Sequence, residues 1–175
     1  MNRRVVLTGI GCITPIGNTA KEAWNAALRG ESGTDLATQI NRDDYVAKVT
    51  AEVKGFEPTQ YLSAKQLKKT DRFVQFAVAA SKEAIEDSGF RLEKEDPYEV
   101  GVLIGSGIGG LRVIEEQHKI LLEKGPSRIS PFLIPMLIVN MAPGQVAIQF
   151  GLKGPNNCVA TACATATNAI GDAAR

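Results

Sequence analysis

Histidine and tryptophan are nearly missing from this sequence of 175 residues, which has one of each, His118 and Trp24. Its three cysteines, Cys12, Cys158 and Cys163, form no C-x-x-C pair, and a single histidine completes no common zinc set, so no metal site is expected. The same odd number argues against a disulfide framework and for a reducing, cytoplasmic setting. Net charge is almost absent, with 20 Lys+Arg against 19 Asp+Glu, which argues against a nucleic-acid partner and against an acidic tail protein. No uninterrupted apolar run reaches the roughly 18 residues of a spanning helix, so no membrane partner is expected. The opening Met-Asn-Arg-Arg followed by Val5, Val6 and Leu7 superficially resembles a signal peptide. Gly9, Gly11, Pro15 and Gly17 interrupt it and read better as a turn after a strand.

Hydrophobic residues make up 44% of the chain and charged ones 22%, as in a folded domain. Charge is unevenly spread: in the last fifty positions only Arg128, Lys153, Asp172 and Arg175 carry it. A segment so poor in charge is expected in a core or an interface. The chain also stops inside a helical pattern, which suggests the front part of something larger.

Val5–Thr8 reads as a short buried strand. Thr19 and Glu22 make a T-x-x-E capping box that opens a helix running to Gly30, with Ala23, Trp24, Ala27 and Leu28 inward. Val46, Val49, Ala51 and Val53 alternate weakly, as in an edge strand. Ser63 and Gln66 form a second capping box, and Phe73, Phe76, Ala77, Ala80 and Ala84 keep helical spacing up to Gly89. Val100–Ile104 is an apolar strand followed by glycines and a helix from about Leu111 to Glu123. Ser127–Met136 is a proline-punctuated apolar loop, and Asn140–Phe150 a helix closed by Gly151. Asn157–Ala160 and Ala164–Arg175 are a last strand and helix. Strands alternating with helices predict an α/β fold with a largely parallel sheet.

Gly105-Ser106-Gly107-Ile108-Gly109-Gly110 satisfies G-x-G-x-x-G between a strand and a helix. A dinucleotide site needs a second strand ending in an acidic residue about 20 positions on. A proline-rich loop stands there instead, so these glycines are expected to permit close backbone approach. His118 lies on a heavily charged helical face and reads as a solvated side chain. Cys12 reads as a packed thiol. Cys163, in Thr161-Ala162-Cys163-Ala164-Thr165, falls between a strand and a helix. A helix N-terminus there stabilises a thiolate and the oxyanion formed when it attacks a carbonyl. An inert packed thiol satisfies the same local pattern.

Val5-Val6-Leu7-Thr8-Gly9-Ile10-Gly11, Thr14-Pro15-Ile16-Gly17-Asn18, Gly105 to Gly110, Ser130-Pro131-Phe132, Asn140-Met141, Gly154-Pro155 and Thr161-Ala162-Cys163 occur in order along almost the whole chain. Together they resemble the condensing enzymes of the thiolase superfamily, of the 3-oxoacyl-[acyl-carrier-protein] synthase II type. The resemblance implies that Cys163 is the acylated nucleophile and that Ile108 lies in the acyl-chain pocket. It implies that Leu133 and Ile134 line this pocket from the neighbouring subunit of a homodimer. Leu133 stands where the family usually has an aromatic, Ala166 where many members have glycine, and Asn168 where many have histidine.

The resemblance further implies that residues 1–175 are the N-terminal half of an αβαβα layered subunit with a mostly parallel mixed sheet. The catalytic histidines would lie in the second half. The implied activity is elongation in fatty acid biosynthesis, with substrates carried on the phosphopantetheine arm of acyl carrier protein and no cofactor. A non-catalytic truncated product, or an interaction partner of intact subunits, is the alternative.

Overall fold

The computed structural model describes residues 4–175. They fall into two compact units. The larger comprises residues 4–6, 58–78 and 90–175, and the smaller comprises 7–57 and 79–89.

In the smaller unit, α1 (Ala20–Leu28) begins at Thr19, whose hydroxyl oxygen accepts the Glu22 N–H. The Glu22 carboxylate reaches the N–H of Asn18 at 2.9 Å, one residue earlier than a regular capping box would place it. Ala23 and Ala26 form the buried stripe of α1, whereas Trp24 is 65% and Leu28 68% exposed. The expected inward face is therefore rotated towards the smaller side chains. Two short strands, β1 (Thr34–Leu36) and β2 (Val49–Ala51), pair antiparallel, with Asp35 opposite Thr50. The weak alternation around Val49 thus marks a real strand.

The segment from Val5 to Thr8 forms no strand. Val5, Val6 and Leu7 are exposed, Leu7 at 84%, because an extended segment becomes a strand only where a second backbone edge pairs with it. Further along, the backbone of Gly11 presses against the carbonyl of Ala80, where any Cβ would collide. Ala80 itself is half-buried.

The second capping box is fully formed, with Ser63 and Gln66 exchanging both bonds at the start of α2 (Ala64–Leu67). The single helix expected up to Gly89 is broken after this turn. A new helix, α3 (Arg72–Asp87), starts where the Asp71 carboxylate accepts the Phe73 N–H. A competing cap of this kind restarts the hydrogen-bond ladder. The α3 residues most deeply buried are Val74, Val78 and Ala79, so the core stripe lies beside the expected Phe/Ala one.

The larger unit centres on β3 (Val102–Gly105) and β4 (Asn156–Val159), which pair in parallel. This is the α/β arrangement expected of strands separated by helices. Between them run α4 (Leu111–Lys124), α5 (Leu133–Leu137) and α6 (Met141–Phe150), and α7 (Thr165–Ala174) follows β4. The α5 helix begins inside the segment expected as a loop and ends one residue beyond it, because Pro135 within so short a helix masks its signal. α6 ends at Gly151, in the left-handed conformation with φ 70°.

Leu62, Val78, Val102 and Val146 make the core, flanked by half-buried Ile104, Phe150 and Leu152. Val102 and Ile104 share one face of β3 and meet α6 there, while the backbone of Gly105, on the opposite face, abuts Thr165 of α7. Helices thus cover both faces of the parallel pair.

In the smaller unit, Glu52 closes the loop after β1. Its carboxylate accepts the hydroxyl of Thr38 at 2.5 Å and the Thr38 N–H at 3.0 Å, and it also receives Thr50 and Gln39. These donors, the Thr38 hydroxyl first, hold its pKa down to about 2 from an ordinary 4.5. A depressed folded value means that this tie is complete above the unfolded value and is lost as pH falls through about 2. Amide exchange at Thr38 and Gln39 should therefore be slow at about pH 5 and rise above the intrinsic trend near pH 2. Glu52→Gln should exchange fast at both. Matching profiles for the two proteins would contradict this role.

Candidate active site

Parallel strands deliver the segments that follow them to the same end of a sheet, where ligands of α/β proteins gather. Here the Ser106 N–H donates to the carbonyl of Val159 at 3.0 Å, extending the β3–β4 ladder into the glycine loop. Gly107 then passes 3.8 Å from the Cα of Ala162, as measured from the position a Cβ would take. The loop 105–110 and the turn 160–164 therefore lie side by side.

Cys163 sits at the centre of a single 3-10 turn, Ala162–Ala164, that runs directly into α7. Its thiol is exposed. Ala162 adopts φ 47°, the only left-handed non-glycine backbone among the described residues. An L-residue at such an angle costs on the order of 1–2 kcal/mol, which the surrounding bonds must offset. The Ala164 N–H donates to the Thr161 carbonyl, and the Thr161 N–H donates to the buried Thr165 hydroxyl at 2.8 Å. Cys163 thus stands two residues before Thr165, the first residue of α7.

The glycine run has the steric role expected of it. Gly109 takes φ 77°, and a Cβ on it would strike the Leu137 carbonyl oxygen, while Gly110 donates its N–H to the same carbonyl at 3.0 Å. The loop is thereby pinned to α5 on one side and touches the Cys163 turn on the other.

Of the sequence-derived pocket residues, Ile108 is 64% and Ile134 56% exposed, and Leu133 is half-buried. Leu133 points into an apolar cleft of about 310 Å³ that it shares with Leu121, Ile129 and Leu137. Neither Ile108 nor Ile134 lines that cleft. His118 is exposed at its edge, on α4. Among the described residues, no three His, Cys, Asp or Glu side chains cluster as metal ligands, and no helix is long and apolar enough to cross a membrane.

The other thiols differ from Cys163. Cys158 is half-buried on β4, with its sulfur 3.7 Å from the Val159 carbonyl oxygen. Cys12 is half-buried beside Glu83, whose carboxylate accepts the Cys12 N–H at 2.8 Å. Burial pushes its thiol up from the ordinary value, and the Glu83 charge adds to the effect.

Three features were missed in the sequence: the strain at Ala162, the support of the glycine loop by α5, and the bond of 2.8 Å from the Asn168 amide to the Thr161 hydroxyl. The adjacent glycines 109 and 110 were the one available signal for the second of these.

The parallel pair thus sets a glycine loop beside a strained, cysteine-bearing turn. Solved structures share this fold. The ishigamide ketosynthase/chain length factor superposes with a TM-score of 0.83 at 26% identity, covering 91% of this chain and 40% of that one. A type II polyketide ketosynthase, solved in complex with its acyl-carrier protein, gives 0.82 at 23% identity, over 97% of this chain and 45% of that one. Residues 2–175 match the model of the beta-ketoacyl synthase N-terminal domain, and the chain belongs to that family.

Among curated relatives, 3-oxoacyl-[acyl-carrier-protein] synthase 2 of Synechocystis sp. is 53% identical over 173 residues. The protein of that name from Staphylococcus aureus is 46% identical over 172 residues. These alignments take in 99% and 98% of this chain but 42% of each relative, so the chain spans less than half their length.

Accessibility and the raised Cys12 value together predict a labelling order. Iodoacetamide near neutral pH should modify Cys163 before Cys12, as followed by peptide mass spectrometry. Equal rates at both thiols in the folded protein would contradict this description of the site.

Proposed function

We propose that this chain is the nucleophile-bearing half, residues 1–175, of an elongating β-ketoacyl-acyl-carrier-protein synthase of fatty acid biosynthesis. The observation that carries the reading is the exposed Cys163 on a strained turn at the N-terminus of α7, beside the glycine loop. The Cys163 thiolate attacks the carbonyl of an acyl thioester on the phosphopantetheine arm of acyl carrier protein. The new carbon–sulfur bond forms, the pantetheine sulfur leaves and takes up a proton, and the acyl group rests on Cys163. Malonyl-acyl carrier protein then loses carbon dioxide. The electron pair of the broken bond attacks the Cys163 thioester, forms a carbon–carbon bond and returns the sulfur as thiolate. Neither step needs a metal or redox cofactor.

In this reading the histidines that assist decarboxylation belong to the stretch of the relatives beyond the matched 42%. Ile108 borders the acyl chain, and Leu133 and Ile134 approach it from the second subunit of a cytoplasmic homodimer. The exposure of Ile108 and Ile134 supports this, since large apolar side chains in the open are suited to an acyl chain or a subunit partner.

Two substitutions in the full-length enzyme test the proposal. Cys163→Ser should abolish acyl transfer from acyl carrier protein while leaving the fold intact, and substantial retained transfer would remove Cys163 from the mechanism. Ile108→Phe should depress activity with long acyl donors far more than with short ones, because overpacking a tight apolar slot costs about 1–3 kcal/mol. An equal loss for both donors would place Ile108 outside the pocket.

A further inference from the structure

We propose that Asn168 and Thr161 are positioning residues for the Cys163 thiol, a role that rests on the reading of Cys163 as the acylated nucleophile. Thr161 is the last residue before the strained Ala162, so its orientation sets the direction in which the turn leaves β4. Three bonds converge on it. Its N–H donates to the Thr165 hydroxyl at 2.8 Å, its carbonyl accepts the Ala164 N–H at 3.1 Å, and its hydroxyl accepts the Asn168 side-chain amide at 2.8 Å.

Thr165 and Asn168 lie three residues apart on α7 and therefore share a face. Thr165 is buried against Gly105 at the end of β3, which fixes the base of the helix. The first turn of α7 thus reaches back over the segment that precedes it and clamps Thr161 from two sides. Without such a clamp, Ala162 would relax towards an ordinary backbone angle. The peptide that carries Cys163 would rotate with it, and the sulfur would leave its place at the helix N-terminus. The clamp touches neither the sulfur nor the acyl donor, so it should act on the rate of acylation and not on donor binding.

The test uses the full-length enzyme with octanoyl-acyl carrier protein as donor. Thr161→Val removes the hydroxyl and keeps the shape, Asn168→Ala removes the amide, and Thr161→Ser keeps the hydroxyl. Each of the first two should lower kcat for acylation of Cys163 by about 3- to 10-fold, as the loss of one hydrogen bond predicts, with KM unchanged. The double variant should be no slower than either single one, since both remove the same bond. Thr161→Ser should match the wild type.

Wild-type kcat in either Thr161→Val or Asn168→Ala would overturn the proposal. So would losses that multiply in the double variant, a loss shared by Thr161→Ser, or an effect carried by KM. Cys163→Ser in the same assay separates the two levels. If it still accepts the octanoyl group, the nucleophile reading fails and the positioning role falls with it. If it is inactive while Thr161→Val and Asn168→Ala react normally, only the positioning role is overturned.

Discussion

From Val102 opposite Asn156 to Gly105 opposite Val159, β3 and β4 run in the same direction, and the loops that follow them emerge at one end. The placement of the candidate site depends on that pairing. A parallel pair requires a long crossover between its strands, here the helices α4 to α6, and those helices supply the apolar cover that the strands need on one face. Were the pair antiparallel, the glycine loop and the cysteine turn would lie at opposite ends. Ser106 bonded to Val159 is the first contact beyond the strands and carries the pairing into the site.

Close approach is the second constraint, and it sets the composition of the site. Gly109 and Gly110 let the backbone of the loop lie on the carbonyls of α5, and Gly105 makes room for Thr165. Around Cys163 the side chains are alanine and threonine, which leave the sulfur open to solvent. Small residues of this kind bring little burial energy of their own. The core at Leu62, Val78, Val102 and Val146 provides it instead.

Much of the local structure was legible in the residues alone. Ser63 with Gln66 marked a helix start, Gly151 a helix end, and the apolar run at Val102 a strand with both faces covered, because each of these signals depends on neighbouring residues. Where a distant element decides, reading failed. Val5–Leu7 has strand composition but no pairing edge, and α3 buries Val74 and Val78 where a regular stripe of Phe73 and Phe76 pointed elsewhere. The helix at Leu133–Leu137 was hidden because Pro135 within it speaks for a loop. Its placement follows from the contact with Gly109 and Gly110, made across more than twenty residues of chain.

The site divides in the same way. The alternation of strands and helices is a pattern of consecutive residues, so the sequence by itself indicated the α/β class, whereas the pattern around Cys163 fits an inert packed thiol as well and became a candidate site only through the family resemblance spread along the chain. Sequence also marked the glycine run as a place of close approach, because its downstream context rejects a dinucleotide. Only the tertiary structure decided that this run lies against the turn of Cys163, that Ala162 is held at a left-handed angle, and that Asn168 reaches back to Thr161. These depend on strand direction, on backbone torsion and on which face of α7 turns inward. None of the three is encoded in spacing along the chain, since each is settled by segments that meet only after folding.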